Sequence, residues 1–206
     1  MKFTCSVLIG VALVGAATIV YGRDQPSNTP KAAEEEAVNL CSSCHGPRGI
    51  STSPEFPNLA GQREDYLIRE LEAFAKKARA DKDAHDFMWG IAGQLDDALT
   101  RGVARYYAAQ PPAPGRSDHS ALATSGKELF DRGVPDRSIP PCAACHGQNA
   151  EGVFEFPRLA GQHAKYIVKQ LSYIRMQTRT TTVPHDFIKN LTPEETLSVA
   201  AYVQSK

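Results

Sequence analysis

Several absences narrow the function of this chain before any motif is considered. Basic and acidic residues are equal in number, 23 each, so there is no global basic field to recruit nucleic acid. No glycine-rich phosphate loop occurs, and no Ser-His-Asp pattern has local support. No run alternates as a β-strand, which removes the βαβ setting of a thioredoxin-like dithiol. Beyond residue 22, nothing is apolar enough to span a bilayer. Methionine is scarce: past the first residue there are only Met88 and Met176.

The N-terminus carries Lys2, runs apolar and uncharged from Phe3 to Gly22, and turns polar at Arg23-Asp24-Gln25-Pro26. That layout predicts a secretory signal peptide over residues 1–22, with an uncleaved membrane anchor as the alternative. A flexible segment is expected over 23–33. Removing the leader leaves 22 basic residues against 23 acidic ones and about 180 residues, enough for one ordinary domain or two small ones. Each small domain would bury a modest core and gain much from a large apolar cofactor.

An internal repeat favours two domains. Cys41-Ser-Ser-Cys44-His45-Gly46 recurs as Cys142-Ala-Ala-Cys145-His146-Gly147. Glu55-Phe56-Pro57-Asn58-Leu59-Ala60-Gly61-Gln62 recurs as Glu155-Phe156-Pro157-Arg158-Leu159-Ala160-Gly161-Gln162, and Tyr66 answers to Tyr166. Between the copies lies a Pro-rich linker, residues 111–118, so the predicted domains are 34–110 and 119–206. Both copies read as helical. Glu34, Glu35 and Glu36 are expected in the first turn of a helix running into Cys41. Tyr66, Leu67, Leu71 and Phe74 mark a second helix, and Ala98, Val103, Tyr106 and Tyr107 a third. The second copy gives Ala121 to Phe130, then Tyr166 to Ile174, then a helix opened by the capping box Thr192-Pro193-Glu194-Glu195.

On a helix, Cys-x-x-Cys-His projects two sulfurs and an imidazole from one face. The thiols can then form thioether bonds to the vinyl groups at a porphyrin edge while the histidine reaches the iron. This spacing is the attachment signature of c-type heme, and here it occurs twice, behind an export signal. A zinc site would need four ligands per metal, and each half offers two thiolates and one histidine. The cofactors expected are two covalently bound heme c groups, on Cys41 and Cys44 with His45, and on Cys142 and Cys145 with His146.

With these marks the chain resembles the cytochrome c4 family, in which two class I cytochrome c domains are fused head to tail. The resemblance implies an all-α fold of two tandem domains, each a few helices wrapped around its heme. It also implies periplasmic electron transfer between donor and acceptor redox proteins, usually toward a terminal oxidase, with membrane contact only if the leader is uncleaved. Finally, it implies that the backbone carbonyls of Pro57 and Pro157 accept a hydrogen bond from His45 and His146, fixing each imidazole.

Class I cytochromes usually add a methionine sulfur on the far side of the iron. Met88, in Met88-Trp89-Gly90-Ile91-Ala92-Gly93-Gln94-Leu95, matches the family's methionine loop; the alternative is a core-filling residue. The second half departs from the pattern: Pro184 stands opposite Met88 and has no donor atom. His185, an open position or water, or Met176 are the alternatives for that site; because His85-Asp86-Phe87 recurs as His185-Asp186-Phe187, the other reading of His185 is a repeated surface feature. Met176 reads as a packing residue, and His119 and His163 as solvated ones. The leading functional reading is an electron carrier. Its rival is a diheme enzyme, or a cytochrome subunit of a dehydrogenase or oxidase, using an open second heme for chemistry such as that of thiosulfate or peroxide.

Overall fold

The structure is a computed structural model that describes residues 30–116, 121–181 and 183–206. The predicted leader, most of the segment after it, and His119 lie outside these residues. Among the described residues the chain is helical, its only β pairing being an isolated bridge between Val134 and Ile139. No described helix is long and apolar enough to cross a membrane.

The first half comprises α1 (Pro30–His45), α2 (Glu64–Ala75), a π-helical turn over Ala84–Met88, α3 (Trp89–Ala92) and α4 (Asp97–Ala108). α1 begins earlier than expected, at Pro30, so Glu34 to Glu36 fall in its second turn. Glu34 there pairs with Arg105 on α4 at 3.6 Å. Val38, Leu67, Val103, Ala104 and Tyr107 form the core where α1, α2 and α4 meet. The Tyr107 hydroxyl donates to the Val38 carbonyl at 3.2 Å, which satisfies the one polar atom this large side chain takes inside.

The second half comprises α5 (Ala121–Arg132), α6 (Ala143–His146), α7 (Ala164–Arg175) and α8 (Pro193–Gln204). Its attachment helix differs from that of the first half. α5 stops at Arg132, the chain turns through Gly133 at φ 65°, and a separate turn of helix, α6, carries Cys145 and His146. α5 lies directly on α8, because a Cβ at Gly126 would sit 1.9 Å from the Ser198 carbonyl oxygen. The capping box of α8 is formed as expected: Thr192 Oγ1 accepts from the Glu195 N–H at 3.1 Å, and the Glu195 carboxylate accepts from the Thr192 N–H at 2.8 Å. Leu129, Phe130, Ile139, Ile167, Val199 and Val203 lie at the centre of this core, each contributing about 1.5–3 kcal/mol by burial.

The halves are not beads on a linker; they interlock through the repeated segment itself. Gln162 accepts from the Asn58 N–H at 2.9 Å and donates to the Asn58 carbonyl at 3.0 Å. Reciprocally, Gln62 accepts from the Arg158 N–H at 2.8 Å and donates to the Arg158 carbonyl at 3.0 Å. Position 58 in one half and 158 in the other are equivalent in the repeat, as are 62 and 162. The two domains therefore pair as an isologous dimer would, each presenting the same patch to the other. Lys169 extends the contact, bonding Glu55 at 3.1 Å and Asp83 at 2.6 Å.

Candidate heme sites

In each half the chain leaves the attachment helix through a glycine with positive φ, Gly46 at 78° and Gly147 at 83°, a conformation that L-residues with a Cβ rarely adopt. It then folds back. The Gly49 carbonyl accepts from the N–H groups of Leu59 and Ala60, and the Ala150 carbonyl from those of Leu159 and Ala160. This closure sets a proline carbonyl beside each histidine: His45 Nδ1 lies 3.0 Å from the Pro57 oxygen, and His146 Nδ1 lies 3.0 Å from the Pro157 oxygen. The acceptor is a carbonyl, so Nδ1 carries the proton, and Nε2 keeps its lone pair with no partner among the described residues. Burial holds both imidazoles below their ordinary pKa, against the opposing pull of the proline carbonyls, so each is neutral and competent to ligate a metal. Phe56 and Phe156 stand edge-on to the two rings, at 6.1 and 5.9 Å between centroids.

The four cysteines of the two motifs are free thiols and half-buried. Burial pushes the thiols of Cys41 and Cys142 up to about 11. A redox dithiol needs the opposite shift, since its thiolate is the reactive species. A zinc cluster fails too: among the described residues, no group of three or more His, Cys, Asp or Glu side chains is placed to hold a metal ion. Covalent c-type heme fits this donor set, which combines two thiols three residues apart with a neutral imidazole on the same helical face.

The structure places the candidate far-side residues differently in the two halves. Met88 ends the π-helical turn and is half-buried. Its neighbour Phe87 meets Phe56 at 5.4 Å, and Phe56 meets His45, so the segment runs beside the first histidine. In the second half the corresponding segment is a 3₁₀ turn over Asp186–Asn190, with His185 just before it. The rings of His185 and His146 are 6.4 Å apart between centroids and inclined at 47°.

Two sequence expectations need correction. Met176, read as a packing residue, caps the C-terminus of α7 and is 57 % exposed. His163, read as solvated, is 3 % exposed, and its Nε2 lies 3.0 Å from the Ser51 carbonyl of the other half. Its burial comes from the domain interface, which no local pattern announces.

A buried polar cluster at the same interface escaped the motif search. Glu70 accepts from Arg79 at 2.5 Å and from Arg179 at 3.2 Å, and Gln170 accepts from the same two arginines at 3.0 and 2.5 Å. Arg79 also bonds Asp81 at 2.9 Å, and Arg179 donates to the Tyr66 hydroxyl at 2.6 Å. Burial would raise the Glu70 carboxyl, but the two guanidiniums overturn that and hold it below the usual carboxylate range. The available signal was the register of the repeat, which aligns Arg79 with Arg179 and Glu70 with Gln170. Among the described residues, the buried Arg179 Nε and Gln170 Nε2 have no hydrogen-bond partner.

Known proteins agree with this geometry. The model of the cytochrome c family matches residues 123–206. Cytochrome c-552 of Acidithiobacillus ferridurans is 40% identical over 167 residues, 80% of this chain and 73% of that protein. Cytochrome c4 of Thiocapsa roseopersicina is 35% identical over 182 residues, covering 85% and 91%. A solved cytochrome c4 from Acidithiobacillus ferrooxidans superposes with a TM-score of 0.77 at 39% identity, covering 82% of this chain and 99% of its own. Two attachment motifs, each with its histidine held 3.0 Å from a proline carbonyl, together with likeness over 91% of the Thiocapsa roseopersicina protein and 99% of the solved cytochrome c4, place this chain in the diheme cytochrome c4 family.

Proposed function

We propose that this protein is an exported, periplasmic electron carrier that takes electrons from one redox protein and delivers them to another. The observation that carries the reading is the duplicated histidine geometry, Nδ1 held 3.0 Å from a proline carbonyl and Nε2 without a partner among the described residues, in two halves that interlock. Cys41 and Cys44 would hold one heme and Cys142 and Cys145 the other, with His45 and His146 as iron ligands and the Met88 thioether as a second iron ligand in the first half. When bound, heme supplies a one-electron couple.

The chain's own residues do the rest. Pro57 and Pro157 orient the imidazoles and raise their basicity as ligands. Phe56 and Phe156 cover the imidazole edges. The paired glutamines hold the halves in one orientation, so that an electron accepted by one half is passed within the molecule to the other. Residues 1–22 direct export, and the domains span 34–110 and 119–206 with residues 111–118 between them. Because the formal charge is zero, docking of donor and acceptor proteins relies on local patches. Intact mass and heme staining of a denatured sample test the reading. Two covalent hemes are expected, falling to one when either cysteine pair is changed to serine; a mass showing one heme, none, or bound zinc would overturn it.

A further inference from the structure

Resting on this diheme reading, we propose that His185 is the far-side ligand of the second heme, so that the protein couples a histidine–methionine iron in its first half to a bis-histidine iron in its second. Metal–imidazole bonds of about 2.0–2.1 Å, plus roughly 1.1 Å from each bonded nitrogen to its ring centre, put two trans imidazole centres about 6.3 Å apart. His146 and His185 are 6.4 Å apart. The inclination of 47° between the rings is no obstacle, because rotation about a common axis leaves both bonds in place.

The protonation pattern agrees with the distance. His146 Nδ1 donates to the Pro157 carbonyl. His185 Nδ1 lies 2.7 Å from the Val183 carbonyl, which also accepts from the Thr181 hydroxyl at 2.7 Å. Each ring thus spends its proton on a backbone acceptor, and each Nε2 has no partner among the described residues. A ligating histidine is normally held in this way by its second nitrogen.

The first half supplies an internal control. His85 sits in the same His-Asp-Phe tripeptide, yet its side chain is 65 % exposed, with Nδ1 2.8 Å from Asp86 and its ring edge-on to Trp89 at 4.9 Å. The difference follows from the residue ahead of each tripeptide and the turn it opens. Ala84, whose N–H donates to Asp81 Oδ1 at 3.1 Å, begins a π-helical turn that carries Met88 at its end, whereas Pro184 has no N–H to make that bond, and His185 stands at φ −117°, outside the short helix that follows. Met176, the other sulfur available to the second half, is exposed at a helix end. Imidazole in place of a thioether favours ferric iron, so the second heme is the lower in potential, and electrons run from the second half to the first. A closed sixth position also makes this half a relay and not a site for small-molecule chemistry.

The full holoprotein, with two hemes verified by mass, provides the test. Near-infrared magnetic circular dichroism of the ferric protein should show one sulfur-type and one nitrogen-type band in equal amounts, with no high-spin component and no carbon monoxide binding when reduced. His185→Ala should open one heme to carbon monoxide and lose the nitrogen-type band, with exogenous imidazole restoring it; His85→Ala should change nothing. His185→Met, which keeps a donor if the alanine variant loses its heme, should replace the nitrogen-type band with a second sulfur-type band and narrow the gap between the two potentials. A parent heme already open to carbon monoxide, or two sulfur-type bands in the parent, would overturn the assignment while leaving the diheme reading intact. A mass with fewer than two hemes would instead overturn the diheme reading.

Discussion

Gln162 ties the two halves together through the Asn58 backbone, whose N–H and carbonyl have no other partner among the described residues. Gln162→Ala removes both bonds to Asn58, at 2.9 and 3.0 Å, and the bond from the His163 N–H at 3.0 Å, leaving two N–H groups and a carbonyl unpaired where Asn58 is only 8 % and His163 3 % exposed. Each such group costs about 1–3 kcal/mol, and some relief from entering water brings the expected total to about 2–4 kcal/mol. For a chain of this size, 1 kcal/mol moves the melting temperature by about 2–4 °C, so the midpoint should fall by about 4–16 °C. Gln62→Ala removes the reciprocal pair, but Arg158 is half-exposed and water can replace much of what is lost, so about 1–2 kcal/mol is expected. Urea denaturation followed by heme absorbance and by circular dichroism, on both single variants and the double, measures the two costs and their coupling. The two pairs share one interface, so the double variant should depart from additivity by more than about 0.5 kcal/mol. A cost below about 0.5 kcal/mol for Gln162→Ala, or a larger cost for Gln62→Ala, would refute the view that this pairing holds the domains in register.

Three further outcomes are expected. Met88→Ala should abolish the sulfur-type near-infrared band and lower one potential while both hemes stay attached; unchanged spectra would reduce Met88 to packing. Glu70→Gln keeps an acceptor for Arg79 and Arg179 but removes the buried negative charge between them, and should destabilise by about 2–4 kcal/mol in thermal or urea unfolding, a neutral result showing that the cluster does not depend on that charge. His163 is held below its ordinary pKa of 6.5 chiefly by burial and also by Arg116, against the opposing Ser51 carbonyl. The unfolded chain therefore binds the extra proton first, and stability should decline as pH falls below about 6.5, with a shallower decline in His163→Gln when urea midpoints at pH 7.5 and 5 are compared; parallel slopes would count against it.

The attachment chemistry was legible in the sequence because it is local. Cys41, Cys44 and His45, and their counterparts Cys142, Cys145 and His146, share a helical face by spacing alone, and the helix periodicity and the Thr192 capping box are equally short-range. The repeat also showed that the second half has no sulfur opposite Met88, where aligning Leu191 with Leu95 places Pro184 and the shared His-Asp-Phe tripeptide places Ile188. Which neighbour fills that place depends on the path of the backbone, for His85 and His185 sit in identical tripeptides and only the turn ahead of each decides whether the ring faces solvent or another histidine. The domain interface was hidden for a related reason. Gln62, Gln162, His163 and the Arg79–Glu70–Arg179 cluster bond to partners about a hundred residues away, and a polar side chain shows the same local pattern whether it meets water or the other half of its own chain.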